Sequence, residues 1–451
     1  MQLLKQRSYI DLIRGSALVV STRILTLLLG VFTTIIVARW YGVEATGFVA
    51  LVNSSAIIFG TFLVLGQDTY LIHEMAIQGS MREQARKSRL YRHSLLLVLF
   101  ASSILALPVA LVVKQYFLDP ILSSSFIVVC ILVVSLIART IIVLTVNASR
   151  AIAPTKVFCA FILMPVVINL TVLVIWGKID YRTTLVPTGA LASGLLLTAL
   201  VSSCYILHRL DNRVSTQNYA SNSENNVEIF FCNILSQVKS GIPFFIASAS
   251  TVIITEGNII IAGFFLPTTD VGVYSVAYRI AFLSLFFLFS INMIAQQELA
   301  KRRFGDTNDL RLYARKVSGL IFFTSLPLVV SILFARDLLL ETYFGADFAN
   351  ASSLIVILLI GHSVVALTGV TNPYFTMTGG QNSLAKITFF AACLSVIINI
   401  FLTPHLGLWS PAIATSSALI VINFTVLIKI RLRDGFWVCW LPSFGRLEKA
   451  L

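Results

Sequence analysis

Four arginines lie inside or just before apolar segments long enough to cross a membrane. Arg23, Arg139 and Arg279 fall within such segments, and Arg14 lies nine residues before Arg23. An arginine near the centre of a membrane span costs about 2.5–3.5 kcal/mol on insertion scales, so it needs a partner or a wet cavity. Guanidinium binds phosphate through two parallel hydrogen bonds and stays charged when desolvated. These arginines therefore predict a cationic path that binds an anionic headgroup.

A second interpretation of the same arginines is structural. Each guanidinium can extend to the lipid phosphates or pair with an acid inside the helix bundle. Around Arg23, however, small and polar residues recur at helical spacing, which is typical of a face that lines a cavity. These residues are Ser16, Thr26, Gly30 and Thr33.

Glu256 is the acid placed deepest within an apolar segment, about fifteen residues into it. A carboxylate in this position is a candidate cation site or proton carrier, and we predict that it couples transport to H⁺ or Na⁺. Thr255 and Asn258 are close in sequence and are expected to help bind a cation. The alternative is a buried ion pair between Glu256 and Arg279.

The apolar segments predict an all-α polytopic membrane protein. Charged residues make up 12% of the 451-residue chain, and its mean hydropathy is +0.90. Spanning a bilayer takes about 20 predominantly apolar residues. Twelve segments meet this requirement: 17–38, 46–66, 94–113, 120–146, 156–176, 184–207, 241–264, 271–295, 317–334, 348–370, 384–402 and 408–428.

The net charge of +13 reflects membrane topology and predicts no nucleic-acid partner. The N-terminus and every second loop, counted with the adjoining span ends that hold Lys156 and Lys386, contain 25 of the 33 lysines and arginines. The alternate loops contain 5, and the other 3 lie inside spans. Because basic loops stay in the cytoplasm, both termini are predicted to be cytoplasmic, with Lys178 and Arg182 outside. The polar segment 208–240 is predicted to be a flexible cytoplasmic linker.

Several motifs recur at about half the chain length, which indicates a duplication. Six spans per half is an even number, so the halves are expected to be parallel six-helix lobes. The predicted organisation is an N-terminal lobe at 1–207, the linker, a C-terminal lobe at 241–428 and a basic cytoplasmic tail at 429–451. That tail, which contains Trp437 and Trp440, is expected to rest on the anionic inner leaflet or to be disordered. The recurring pairs are Gly47 with Gly272, Lys156 with Lys386, Asn169 with Asn399, and segment 190–193 with segment 412–415.

Several classes of function are not supported by any motif. The sequence contains no G-x-x-x-x-G-K-[ST] nucleotide motif and no HExxH, and its outer loops are too short for a catalytic domain. Its six cysteines avoid the outer loops and show no CxxC spacing, which argues against disulfides and a metal cluster. We therefore predict a transporter with no catalytic residues, cofactor or bound metal.

Three motifs resemble the polysaccharide exporter family, which includes the Wzx oligosaccharide-lipid flippases. They are the hairpin at 36–48 (IVARWYGVEATGF), the segment 399–407 (NIFLTPHLG) leading into 412–415 (AIAT), and the turn at 378–386 (TGGQNSLAK). The likeness covers the whole chain, although Ser410 and Pro411 replace the usual Gly-Ala. This family belongs to the multidrug/oligosaccharidyl-lipid/polysaccharide (MOP) exporter superfamily, which also contains cation-coupled drug antiporters with the MATE fold.

The resemblance implies a flippase of the bacterial cytoplasmic membrane. Its substrate would be an undecaprenyl-diphosphate-linked oligosaccharide, such as an O-antigen unit for lipopolysaccharide. It would move from the inner to the outer leaflet by cation-coupled alternating access. A polysaccharide polymerase and a chain-length regulator in the same membrane would be partners. The alternatives are a cation-coupled drug or small-solute antiporter and, from another class, a membrane glycan polymerase or ligase.

Overall fold

Helices account for nearly all of the chain that the computed structural model describes. The described residues are 2–68, 71, 81–117, 126–177, 185–214, 245–303 and 306–439, without the side chains of 2–16, 81–87, 151, 211–214 and 297. No strand occurs in these segments. Because a lipid environment offers no hydrogen-bond partners, helices satisfy the backbone of each apolar segment internally. The all-helical prediction is confirmed.

The first half of the chain forms five long helices. Proline lies inside two of them, at Pro108 and Pro165, which is tolerated in membrane helices. They are α1 (Gln2–Val64), α2 (Met81–Phe117), α3 (Phe126–Ile152), α4 (Thr155–Gly177) and α5 (Leu185–Val214).

The second half contains several helices with irregular turns. A π-helical turn, Ile253–Gly257, interrupts α6, and a 3₁₀ turn, Leu283–Leu285, joins α7 to α8. Further π-helical turns, Leu340–Phe344 and Thr376–Gly380, follow α9 and α11. The helices are α6 (Phe245–Phe265), α7 (Thr268–Phe282), α8 (Phe286–Arg302), α9 (Thr307–Leu339), α10 (Ala351–Thr368), α11 (Thr371–Phe375), α12 (Gln381–Leu406) and α13 (Trp409–Asp434).

Eleven helices in the described segments are long and apolar enough to cross a membrane. The first covers 48 residues, Ala17–Val64, and contains the first predicted span and most of the second. Gly42 divides it, with a non-helical φ of 85° and ψ of −177°. With a rise of about 1.5 Å per residue, each arm is roughly 33–37 Å long, so each arm can cross a bilayer. The remaining ten helices correspond to the other ten predicted spans.

The chain forms two compact units that differ from the two predicted lobes. One contains residues 1–47 and 253–451, and the other contains residues 48–252. The first arm of α1 thus belongs with the C-terminal helices, because contacts from Thr34 and Arg39 attach it to them. Gly47, early in the second arm, also contacts α7. The six-span lobes therefore stay a prediction. Of the predicted linker, residues up to Val214 belong to α5, and 215–244 lie outside the described residues.

Each unit has its own apolar core. In the first unit, Leu299, Ile321, Val370 and Val426 are buried in one cluster. In the second unit, a cluster around Tyr91, Val98, Leu144 and Ile206 joins α2, α3 and α5. Each cluster gives its unit a packed interior in which polar side chains can be held at defined positions.

The start of the predicted tail is ordered. α13 continues to Asp434, beyond the predicted boundary at residue 429. Phe436 and Val438 then join the apolar core of the first unit, and Arg315 donates a hydrogen bond to the Trp437 carbonyl at 3.0 Å. The expectation of disorder is therefore wrong for residues 436–439, because they bury apolar side chains against α9 and α11. The expected contact with the inner leaflet stays a prediction. Residues 440–451, including Trp440, lie outside the described residues.

Candidate functional site

Arg279 on α7 reaches the first arm of α1. Its Nη1 atom donates to the Thr34 hydroxyl at 2.5 Å and to the Gly30 carbonyl at 3.4 Å. Both acceptors are neutral, so they hold the guanidinium without cancelling its charge. Among the described residues, Nη1 is the guanidinium nitrogen with protein acceptors. The N–H groups of Nε and Nη2 can therefore donate hydrogen bonds to a phosphate.

Arg23 lies on the same face of α1 as the two groups that hold Arg279. Gly30 and Thr34 follow it by about two and three helical turns, which places each within about 20° of Arg23 around the helix. The corresponding distances along the helix axis are about 10 and 16 Å. The Arg23 side chain is exposed. One face of α1 therefore bears Arg23 and also accepts the hydrogen bonds that Arg279 donates.

Glu256 lies in the same unit, on the π-helical turn of α6, and is half-buried. Its carboxylate is close enough to the Arg279 guanidinium for its charge to act on it. Single π-helical turns are frequent at functional sites, because the extra residue redirects the side chains around it. The structure thus associates the predicted coupling acid with a predicted substrate arginine.

Asn258 makes contacts that do not fit the predicted cation-binding role. Its Nδ2 atom donates to the hydroxyls of Ser395 and Thr415 at 3.0 and 2.8 Å, and Asn399 donates to its Oδ1 at 3.0 Å. It is fully buried, two residues from Glu256 and so on a different face of α6. The expectation that Asn258 assists Glu256 is therefore wrong for this conformation, because neutral partners on α12 and α13 occupy its amide.

The contacts of Asn258 belong to a larger buried network of neutral polar groups. Ser410 and Thr403 hydrogen-bond to Asn399, and the Tyr274 hydroxyl lies 3.0 Å from that of Thr415. Such a network satisfies polar groups that would otherwise be costly inside the membrane. It attaches α6 and α7 to α12 and α13, behind the face that carries Glu256.

Arg139 lies in the second compact unit, on α3, and is half-buried. Its side-chain stem packs on Gly60, where an added Cβ would lie 3.3 Å from its Cγ atom. Nearby in sequence, Asn147 donates to the Asp68 carboxylate at 3.1 Å. Arg14 lies in α1, half a turn out of phase with Arg23, and its side chain is outside the described residues. The roles of Arg139 and Arg14 stay predictions.

Thr34 is the site residue that sequence reasoning missed. The predicted polar stripe included Thr33, but the Arg279 contact is made by Thr34. Both threonines also bond to the carbonyl four residues earlier, so neither is distinguished by local structure. Helical spacing could have identified Thr34, because it lies on the same face of α1 as Arg23, about three helical turns further along.

The described residues contain no group of three His, Cys, Asp or Glu side chains that could hold a metal ion. The five described cysteines are free thiols. The candidate site of the first unit consists instead of two arginines, one carboxylate and hydroxyl groups. This set can bind an anion by charge and hydrogen bonding.

Comparison with known families identifies the chain. Residues 12–296, more than half of its length, match the family described as "Polysaccharide biosynthesis protein". The chain belongs to this family. It is a polysaccharide exporter of the MOP superfamily, and the resemblance read from the sequence is confirmed at that level. No curated protein sequence matches it.

Solved structures of the superfamily share the fold. A multidrug resistance MATE family transporter in an inward-facing conformation is 15% identical, with 93% of this chain and 98% of that chain covered and a TM-score of 0.68. The lipid II flippase MurJ in an inward closed conformation is 15% identical, with 93% and 89% covered and a TM-score of 0.64. A MOP superfamily transporter from Pyrococcus furiosus is 15% identical, with 94% and 95% covered and a TM-score of 0.61.

These findings define the general class. The chain is a multi-pass membrane protein, and its family and structural neighbours are transporters and flippases. The family supports a flippase or transporter in polysaccharide biosynthesis. At this identity the structural likeness speaks to fold alone, so substrate must be argued from this chain's residues.

Proposed function

We propose that the protein is a flippase for an undecaprenyl-diphosphate-linked oligosaccharide, an O-antigen or other surface polysaccharide unit. It moves this lipid from the inner to the outer leaflet of the bacterial cytoplasmic membrane, and both of its termini are cytoplasmic. The observation that carries the proposal is Arg279, whose guanidinium contacts Gly30 and Thr34 on the face of α1 that also bears Arg23. Membership of a polysaccharide biosynthesis family supports a glycan as the cargo.

A diphosphate needs groups that replace its hydration when it enters a membrane protein. Arginine suits this role, since its planar fork matches phosphate oxygens and keeps its charge in a poorly hydrated site. In the proposed mechanism the diphosphate binds Arg23 and Arg279 in sequence along α1, while the polyprenyl chain remains in lipid. Arg139 and Arg14 are proposed to bind the diphosphate as well, and a polymerase in the same membrane would consume the product.

Coupling to H⁺ or Na⁺ is proposed to run through Glu256. Its carboxylate interacts with Arg279, so a bound cation at Glu256 and an anion at Arg279 would each alter the other's affinity. Alternating access would then link outward movement of the anionic substrate to inward return of a cation. For an inside-negative membrane both steps are downhill, by about 2.3 kcal/mol per charge per 100 mV.

Reconstituted protein provides the test of the substrate. Proteoliposomes would contain labelled undecaprenyl diphosphate oligosaccharide, and a membrane-impermeant glycosidase would report how much glycan reaches the opposite leaflet. We expect translocation by the parent protein and by Arg336→Ala, a control arginine whose Nε atom contacts Ser352. We expect its loss in Arg279→Ala. Equal translocation by all three proteins would contradict the proposal.

The Glu256 carboxylate also favours a second candidate, a cation-coupled antiporter for drugs or small solutes. A cationic drug would be attracted by Glu256 and repelled by Arg23 and Arg279. Vesicles loaded with a cationic dye distinguish the two candidates. Dye movement driven by an imposed H⁺ or Na⁺ gradient, with no glycan translocation, would establish the antiporter.

A further inference from the structure

In the second compact unit, the backbone turns sharply where the second arm of α1 ends. Leu65 has a φ of 49° and Gly66 has a φ of 75°, so both lie in the left-handed region. A residue with a side chain rarely adopts this conformation, and such positions are concentrated at functional sites. Two polar residues, Gln67 and Asp68, follow directly. The turn therefore determines where their side chains lie.

Gln67 is buried and has an N–H group without an acceptor. The residue is 1% exposed, and its Oε1 atom accepts a hydrogen bond from the Ser94 hydroxyl of α2 at 3.2 Å. Its Nε2 atom is also buried and has no acceptor among the described residues. A buried donor of this kind costs free energy, so its presence needs a reason. A ligand that offers an oxygen atom would supply the acceptor.

Asp68, the next residue, contacts α3. Asn147 donates from Nδ2 to the Asp68 Oδ2 atom at 3.1 Å, and both residues are half-buried. Gln67, Asp68, Ser94 and Asn147 thus form an amide–carboxylate cluster in which the end of α1 meets α2 and α3. The predicted topology places this end of all three helices on the cytoplasmic side.

The amide–carboxylate cluster favours a ligand with hydroxyl groups. The Asp68 charge would oppose binding of a phosphate, and at Gln67 the atom that lacks a partner is a donor, which does not bind a cation. Each hydroxyl of a sugar ring can both donate and accept a hydrogen bond. Neighbouring hydroxyls can therefore donate to the Asp68 carboxylate and accept from the Gln67 amide.

We propose that the amide–carboxylate cluster binds a sugar residue in the glycan of the transported lipid. This inference rests on the proposed function, because a glycan on a lipid of the inner leaflet projects to the cytoplasmic side. Asp68 accepts a hydrogen bond from one hydroxyl. Gln67 is adjacent to Asp68, so a change of its side-chain rotamer brings Nε2 to the next hydroxyl. The cluster recognises the sugar, whereas the arginines recognise the diphosphate.

Two lipids that differ only in the glycan test the cluster. They are the lipid-linked oligosaccharide extracted from the cells that make the protein, and undecaprenyl diphosphate alone. Gln67→Met and Asp68→Asn should weaken affinity for the first lipid by about tenfold in detergent and leave affinity for the second unchanged. The control is Thr171→Val, which removes a hydroxyl bonded within its own helix and should bind both lipids normally. No loss, or an equal loss for both lipids, would overturn the proposal.

Thermal unfolding separates a binding role of Gln67 from a packing role. Gln67→Met removes a buried donor that has no acceptor, so without ligand the variant should unfold at the temperature of the parent or above it. A lower unfolding temperature together with unchanged affinity for the oligosaccharide lipid would assign Gln67 to packing and overturn the proposal.

The free oligosaccharide, released from the lipid by mild acid, separates the cluster from the proposed function. If the parent binds the free glycan, Asp68→Asn weakens this binding, and no lipid-linked glycan is translocated, the cluster is retained and the proposed function fails. If the parent translocates the lipid and neither Gln67→Met nor Asp68→Asn alters binding of the glycan, the proposed function is retained and the cluster is overturned.

Discussion

At the scale of single residues, Arg279 shows how this protein can keep a charge inside a membrane span. Its guanidinium donates hydrogen bonds to α1 and is attracted by the Glu256 charge, which together offset part of the cost of burial. The same contacts leave part of its hydrogen-bonding fork for an anion. A contact with α1 and a substrate site are therefore compatible interpretations of one residue.

Arg279→Ala should weaken binding of the lipid diphosphate while the protein still inserts. Charge-assisted hydrogen bonds contribute about 1.5–3 kcal/mol, which corresponds to roughly ten- to hundredfold in affinity. Arg279→Lys should recover part of this loss, because lysine keeps the charge but cannot bind in bidentate fashion. Affinity for a short-chain prenyl diphosphate in detergent, with Arg336→Ala as control, is the measurement. Unchanged affinity in Arg279→Ala would assign the residue to packing.

Arg23→Ala and Arg139→Ala should each reduce glycan export at normal protein levels in the membrane. Arg23 is exposed on α1, whereas Arg139 packs along Gly60, so Arg139→Ala should also lower thermal stability. Lysine at either position should restore export in part, since it preserves the charge. Surface glycan per unit of membrane-inserted protein measures the effect. Normal export in both alanine variants would mean that these arginines serve packing or topology.

Glu256→Gln should slow or uncouple transport without abolishing substrate binding. The amide has nearly the same shape but cannot carry the charge that attracts a cation. The measurement is H⁺ or Na⁺ flux into proteoliposomes when lipid-linked substrate is added, parent against variant. Equal substrate-dependent flux in the two proteins would show that Glu256 is only the electrostatic partner of Arg279.

At the scale of helices, the buried network around Asn258 holds α6 against α12 and α13. Asn258→Ala would leave polar partners on these helices unsatisfied, including Ser395, Asn399 and Thr415. Each unsatisfied buried group costs about 1–3 kcal/mol. The variant should therefore unfold at a lower temperature in detergent. Thr324→Val, which removes an exposed hydroxyl bonded within its own helix, is the control and should change little.

At the scale of the whole molecule, the predicted topology sets the direction of transport. Cysteines at 178–182 should react with an impermeant reagent outside intact cells, and cysteines at 215–225 should react only after the membrane is opened. The reason is that lysine and arginine are concentrated in one set of loops, and loops rich in these residues are retained in the cytoplasm. Labelling of 215–225 from outside would reverse the model of both termini in the cytoplasm.

The spans of the protein could be predicted from the sequence because each depends on local composition. Predicted span 156–176 corresponds to helix Thr155–Gly177, and predicted span 408–428 begins within one residue of helix Trp409–Asp434. A membrane interior requires a backbone that satisfies its own hydrogen bonds, so a sufficiently long apolar run has to be a helix. The depth of Arg23, Arg279 and Glu256 follows from the same reasoning.

Which helix faces meet was decided only by the tertiary structure. The sequence alone did not reveal that Arg279 contacts Thr34, that Asn258 contacts α12 and α13, or that residues 1–47 join the C-terminal unit. Nor did it show that the repeated glycines, Gly47 and Gly272, contact each other. Apolar composition is nearly uniform around these helices, so periodicity cannot choose a partner. The choice depends on shape and on hydrogen bonds between residues more than a hundred positions apart.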